Sequence, residues 1–191
     1  TILDDDEAKK GDGLGVKVAA LGDKETGAEF ATQVVQKWRE AHAAESIARW
    51  IERIGYKKAV FSSDGEEAVK ALKKMVKEKC SADLVIRNNA KKDSKSAALG
   101  ETVQGIVGKS FLTLKSSIEK STGEKIAKTD AAVAWLVRHG PWSRTRFKVR
   151  SDGTTPYEII NGNKYSGDVC KHFEVIMAKE MKKDKKDKMN S

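Results

Sequence analysis

Apolar residues in the first half of the chain follow first strand spacing and then helical spacing. Residues 16–21 and 28–35 flank a turn that contains Gly22 and Gly27, which predicts a β-hairpin. Residues 44–54 carry apolar side chains every three or four positions, at Ile47, Trp50, Ile51 and Ile54. This spacing predicts an amphipathic helix, and Gly55 stands where a C-cap glycine belongs. The apolar run 59–61 then predicts a short buried strand.

The middle of the chain predicts two more helices with a strand between them. Residues 66–79 place apolar side chains on one face and lysines on the other, and residues 84–86 form the strand. The segment 87–96 has no apolar period and carries four cations against one acid, so we expect a loop. The following helix ends at Gly123 and has Glu101 on its first turn. Its apolar residues at helical spacing are Leu99, Val103, Ile106, Val107, Phe111, Leu114 and Ile118.

The last third is less regular. Residues 126–139 predict a helix that Gly140-Pro141 breaks, with Trp135 in the core and His139 as a cation at the helix end. Cations then alternate with other residues from 144 to 150. This alternation fits either an extended basic edge that contacts phosphates or a solvated loop. A turn and a short helix through Ile160 follow, and residues 173–177 predict a last strand.

The order of these elements, strand-strand-helix-strand-helix-strand, predicts an α/β fold. We expect one domain over residues 1–178 and a lysine-rich, disordered tail over residues 179–191. The run Asp4–Glu7 fits a solvated loop better than a metal site. The segment Thr1–Leu3 fits the end of a strand whose beginning is missing, and we expect the chain to be a fragment.

Charge narrows the class of partner. The 191 residues carry a formal net charge of +9, which indicates a polyanionic binding partner. The alternative is that the excess lysine only keeps the protein soluble. Cys80 and Cys170 have no partner motif, so we expect free thiols and an intracellular, reducing location, nuclear or cytoplasmic. No apolar run is long enough to span a bilayer, and no membrane partner is expected.

Two carboxylates stand out. Asp64 follows the strand 59–61, and Glu101 lies on a helix with 36 residues between the two. Hard divalent cations such as Mg²⁺ prefer oxygen ligands, so such a pair fits a metal site. Glu101 alone would be explained by the preference of acids for helix N-termini. Paired with Asp64, it favours the metal site.

Taken together, these segments resemble the catalytic core of retroviral and retrotransposon integrases, in the ribonuclease H-like superfamily. The resemblance covers the chain from Thr1 to about Ala178. It rests on the hairpin 16–35, the motif Ser63-Asp64-Gly65, the run 93–96 before Glu101, the run 134–139 and Gly153-Thr154-Thr155-Pro156-Tyr157-Glu158. The Asp64–Glu101 spacing is similar to the family's Asp-x(about 35)-Glu signature. The resemblance implies a mixed sheet, made of an antiparallel hairpin and parallel strands, that is flanked by helices. It also implies that the first strand is truncated and that the chain is a piece of a retrotransposon polyprotein.

The resemblance also implies how the site works. Two Mg²⁺ or Mn²⁺ ions about 4 Å apart would clamp the entering and leaving oxygens during DNA 3′-processing and strand transfer. Asp64 would bridge the ions and Glu101 would hold one of them. The partners would be element ends and target DNA, with dimerisation through helix faces. Cations near Glu101 would contact the DNA backbone, and these are Lys91, Lys92, Lys95 and Lys109.

Departures from the family pattern predict impaired activity. The first of the three family carboxylates would fall just upstream of Thr1, and Asp4 would replace it only through a register shift. Ala97-Ala98 stand in place of Asn-Gly, and Thr102 in place of an arginine. Two other functions therefore stay open, a non-catalytic nucleic-acid-binding module that keeps the fold and a ribonuclease H-like nuclease.

Overall fold

The computed structural model describes residues 16–34, 41–63, 67–88 and 94–169. The strands are β1 (Val18–Gly22), β2 (Glu29–Gln33), β3 (Lys58–Ser63) and β4 (Asp83–Asn88). The helices are α1 (Ala41–Ile54), α2 (Glu67–Lys79), α3 (Ser94–Thr122), α4 (Ala131–Phe147) and α5 (Pro156–Asn161). None of the helices in these ranges is long and apolar enough to cross a membrane.

The predicted hairpin is confirmed. β1 and β2 pair antiparallel, with Val18 opposite Gln33 and Gly22 opposite Glu29. Asp23 closes the turn, because its carboxylate accepts hydrogen bonds from the Thr26 backbone N–H at 2.8 Å and the Thr26 hydroxyl at 2.6 Å. Asp23 also accepts a hydrogen bond at 3.1 Å from the hydroxyl of Tyr56, which follows α1. The turn is therefore tied to the link between α1 and β3.

The Tyr56 hydroxyl gives the fold a pH dependence at high pH. Burial, and then the negative charge of Asp23, raise the pKa of Tyr56 to about 12. The unfolded tyrosine titrates near 10, so the folded state holds the proton more tightly. The stabilisation is complete below about pH 10 and is lost as the pH rises through about 12. Urea unfolding between about pH 9 and pH 12 should show a falling midpoint, and Tyr56→Phe should flatten this part of the profile. An equal slope in the variant would contradict the assignment.

β3 and β4 form a parallel pair connected by α2. Lys58 lies opposite Asp83 and Ser63 opposite Asn88, so both strands end at the same edge. In the described ranges each sheet has two strands, β1-β2 and β3-β4. The α/β class, with an antiparallel hairpin, a parallel pair and flanking helices, is confirmed.

β1 separates two apolar clusters. Ala19 packs in one cluster with α1, α2 and β4. Its neighbours Val18 and Ala20 pack in the other with α3 and α4. Successive strand residues point to opposite faces, so the hairpin is covered by helices on both sides.

α4 does not end where the sequence predicted. The helix continues through Gly140-Pro141 to Phe147. A Cβ at Gly140 would lie 2.6 Å from the Ser110 Cβ of α3, so the glycine permits close contact between the two helices. Pro141 is buried. The predicted break was wrong because packing between α3 and α4 outweighs the local helix-breaking preference.

Two side-chain predictions on α4 were also wrong. Trp135 was expected in the core, but it is 43% exposed. His139 was expected at a helix end, but it lies within α4 between two tryptophan rings, 4.7 Å from Trp135 and 5.4 Å from Trp142 by ring centroids.

α5 begins at a capping box, as the turn-and-helix prediction required. The Thr155 hydroxyl accepts a hydrogen bond from the Glu158 N–H, and the Glu158 carboxylate accepts one from the Thr155 N–H. Arg150, just before this turn, donates to the carbonyls of Glu25 and Thr26 in the hairpin. The predicted strand 173–177, the tail 179–191 and the segment Thr1–Glu7 lie outside the described residues.

Candidate functional site

The carboxyl ends of β3 and β4 mark the edge where the site was predicted. Ser63 and Asn88 are the last residues of the two parallel strands and lie opposite each other. In open α/β sheets this edge is the usual place for a ligand. Asp64 is the next residue in the chain after β3, but it lies outside the described residues.

Glu101 is exposed and lies in the second turn of α3. The sequence placed it on the first turn, which was wrong because the helix begins earlier, at Ser94. The influence of the helix dipole falls off within the first turn. The dipole therefore does not explain an acid at this position.

The packing of α3 fixes the direction of Glu101. A Cβ at Gly22 of β1 would lie 2.9 Å from Val103 and 3.3 Å from Leu99, so these two residues face the hairpin. Residues on an α-helix are spaced about 100° apart, so Glu101 lies on the opposite side. α3 also contacts β3, the strand that leads to Asp64. The helix that carries Glu101 is therefore in contact with the strand that precedes the other carboxylate in the sequence.

Lys73 of α2 brings a positive charge to the same edge. Its side chain is completely buried. The ammonium donates to the Arg87 carbonyl at 2.9 Å and to the Asn88 side-chain oxygen at 2.7 Å, both at the end of β4. The sequence placed the lysines of this helix on the solvent face, which was wrong for Lys73. The spacing 69, 72, 73, 76 puts it inside the apolar stripe, and that is the signal that would have found it.

The four predicted DNA-contact lysines divide into two groups. Lys91 and Lys92 lie outside the described residues, and Lys95 lies on the first turn of α3 with its side chain outside the described part. Lys109 is exposed on α3, two turns beyond Glu101. The assignment of these four lysines as DNA contacts stays a prediction.

The basic stretch 144–150 is only in part a solvated extended segment, because residues 148–150 lie outside the helix and Lys148 and Val149 are exposed. Its first half is the end of α4. The Arg144 Nε donates to the Glu29 carboxylate at 2.8 Å, and Arg150 binds carbonyls of the hairpin turn. These two arginines therefore bind other groups of the same chain.

Carboxylates are suitable ligands for Mg²⁺ or Mn²⁺. Glu101 fits this role because it is exposed and forms no ion pair with any other described residue. Within residues 16–34, 41–63, 67–88 and 94–169, no three His, Cys, Asp or Glu side chains come together as a metal site. Asp64 lies outside these ranges.

Solved structures similar to the chain come from retroviral integration. A chain of the simian T-cell lymphotropic virus intasome, in complex with PP2A regulatory subunit B56 gamma, matches with a TM-score of 0.51 and 14% identity over 86% of this chain. The catalytic core domain of BIV integrase matches with a TM-score of 0.50 and 15% identity over 76% of this chain and 86% of that domain. No protein-family model and no curated protein matches the sequence.

These similarities establish the fold. The chain has the ribonuclease H-like fold of integrase catalytic cores, so the resemblance drawn from the sequence is confirmed at this level. The chain spans about half of the intasome chain that it matches, 54% of its length.

Proposed function

We propose that this chain is a retrotransposon integrase core of the type that carries out metal-dependent DNA 3′-processing and strand transfer, with activity impaired by its departures from the family pattern at Ala97-Ala98 and Thr102. Asp64 and Glu101 are its metal-binding carboxylates, and element ends and target DNA are its substrates. The observation that carries the proposal is the path of α3. The helix contacts β3 and carries Glu101 at an exposed position that the helix dipole does not explain.

The reaction builds negative charge on the oxygens around phosphorus. Asp64 and Glu101 would hold Mg²⁺ or Mn²⁺, which would supply stabilisation of that charge and activation of the attacking hydroxyl or water. The contribution of this chain is to place the carboxylates. Lys73 holds the end of β4 through hydrogen bonds to the Arg87 carbonyl and the Asn88 side-chain oxygen. Lys109 adds positive charge on the outer surface of α3 for a DNA backbone.

A non-catalytic nucleic-acid-binding module is the second candidate. It is favoured by the net charge of +9. Such a module would bind DNA with strong salt dependence and without need of a metal.

Metal binding separates the two candidates. Calorimetric titration with Mn²⁺ should give a binding isotherm for the wild-type chain. Asp64→Asn and Glu101→Gln should each weaken binding by at least about tenfold, or ~1.4 kcal/mol, because each removes a charged oxygen ligand. Glu124→Gln is the matched control, since Glu124 is an exposed acid in the link after α3, and it should bind as the wild type does.

Equal Mn²⁺ affinity in all four proteins would overturn the paired-carboxylate site. Salt-sensitive DNA binding that EDTA leaves unchanged would then support the binding module. Cleavage confined to RNA–DNA hybrids would instead identify a ribonuclease H-like nuclease.

A further inference from the structure

A cavity of about 350 Å³ lies on a different part of the molecule. Its walls come from β2, α1, α4 and α5, whereas Glu101 belongs to α3 and Asp64 follows β3 in the sequence. The volume is at the lower end of the range for small-molecule pockets, which is roughly 300–1,000 Å³. The cavity is therefore large enough for one small ligand or one unit of a polymer.

Positive charge dominates this cavity. Four arginines line it, and they are Arg49, Arg53, Arg138 and Arg146. The acid that also lines it, Glu29, is already paired with Arg144 at 2.8 Å. Arg49 pairs with Glu45 along α1, and Arg138 donates to the Thr32 hydroxyl at 3.1 Å.

Arg146 is the most constrained of these cations. Its guanidinium lies 4.2 Å from the ring centroid of Trp142 and 5.1 Å from that of Tyr165. Its Nε is buried and has no hydrogen-bond partner among the described residues. Burial, and then the charge of Arg53, lower the pKa of Arg146. An anion between the two guanidinium groups would relieve this repulsion and offer hydrogen-bond acceptors.

Aromatic rings form the rest of the wall. Phe30, Trp50, Trp142 and Tyr157 all line the cavity. Trp50 stacks on Phe30 with ring centroids 5.6 Å apart, which holds the indole in a fixed orientation. Flat rings beside guanidinium groups are the features that bind unpaired nucleotides, because bases stack on the rings while arginines bind phosphate.

We propose that this cavity binds one nucleotide of a single-stranded nucleic acid. The phosphate lies between Arg53 and Arg146, and the base stacks on the indole of Trp50, because Trp142 is already in contact with Arg146 and His139. An acidic peptide would satisfy the arginines but would leave the aromatic walls uncovered, so the nucleotide uses more of the site. The binding needs neither metal nor the carboxylates Asp64 and Glu101, and the inference goes beyond the proposed strand-transfer function.

The test uses intrinsic fluorescence, because two of the four tryptophans of the chain line the cavity. A 5′-phosphorylated trideoxynucleotide, titrated in EDTA, should quench the emission of the full chain. Arg53→Glu should weaken its binding by at least about tenfold. Arg53 is exposed on the last turn of α1, so the fold should survive. Arg53→Gln, which adds no acid, should weaken binding in the same direction.

Matched probes and variants make the result specific. Lys128→Glu reverses one exposed charge in the link before α4 and should change the affinity by no more than about twofold. Deoxyribose 5-phosphate, which lacks a base, should bind at least about tenfold more weakly than the trinucleotide, since stacking is lost. Glu101→Gln should bind the trinucleotide with wild-type affinity, because Glu101 does not line the cavity. The trinucleotide result therefore does not depend on whether the strand-transfer proposal is correct.

Three results would overturn the inference. One is equal weakening by Arg53→Glu and Lys128→Glu, which would indicate general attraction to a basic surface. Another is binding of a tetraglutamate peptide as tight as that of the trinucleotide, which would indicate a site for acidic protein segments. The third is the absence of any quenching by the trinucleotide at low salt.

Discussion

Replacing Arg144 by Met is expected to lower the free energy of unfolding by about 3 kcal/mol. The side chain of Glu29 is 8% exposed, and the Arg144 Nε lies 2.8 Å from its carboxylate. Methionine keeps much of the apolar packing of the arginine stem but leaves a buried negative charge without its partner. The pair joins β2 to the last turn of α4, so its loss should loosen the contact between hairpin and helix.

The measurement is urea unfolding followed by circular dichroism. Adding Glu29→Gln to Arg144→Met should recover at least about half of the loss, because the uncompensated charge disappears. Lys120→Met, at an exposed position in the last turn of α3, is the control and should change stability by less than about 0.5 kcal/mol. A double variant no more stable than Arg144→Met would show that packing, and not charge, dominates at this site.

Gly140→Val is expected to destabilise the fold by about 2–3 kcal/mol, although valine has a higher helix propensity than glycine. The new Cβ would lie 2.6 Å from the Cβ of Ser110, and neither atom is at the end of a flexible side chain. α3 and α4 would have to separate, which opens the apolar cluster between them.

Gly105 offers the matched comparison. It is also a helical glycine, but a Cβ there would meet nothing within 4 Å. Gly105→Val should therefore be neutral or slightly stabilising in a thermal melt. Ser110→Gly combined with Gly140→Val should restore part of the lost stability, because it removes the atom in conflict. If both glycine variants melt alike, the close helix contact is not a constraint.

The elements that the sequence predicted well are those whose signals are local. The hairpin turn contains its own hydrogen-bonding residue, Asp23, and α1 has both an apolar stripe and a C-cap at Gly55. The capping box at Thr155 and Glu158 is equally local. Each of these signals lies within a few residues of the structure that it specifies.

The failures come from contacts between distant parts of the chain. Gly140-Pro141 is a helix breaker by itself, and only contact with Ser110 shows why the helix continues. Trp135 was assigned to the core from its residue type, although it lies on the outer face of α4. The pairing of Arg144 with Glu29 spans 115 positions and has no signature in either segment.

The candidate sites also differ in whether their signal is local in the sequence or arises from contacts between distant segments. The choice of Glu101 came from a spacing along the chain, and the structure supplies its exposure and the path of its helix. The arginine cavity combines residues from 29 to 161 that no motif links. The burial of Lys73 had a local signal, because the helical period places this residue in the apolar stripe of its helix. Its charge nevertheless led to the wrong assignment to the solvent face.

The two-sided packing of β1 has a consequence for amide hydrogen exchange. Ala19 belongs to one apolar cluster, and Val18 and Ala20 belong to the other. Opening the backbone hydrogen bonds of this strand therefore exposes both clusters at once, so these amides should exchange only through global unfolding. The outer face of β3 and β4 is open to water at Val60 and Val85, which are 61% and 42% exposed. Amides of the parallel pair should exchange through smaller openings, and the hairpin is expected to be the slowest-exchanging unit of the fold.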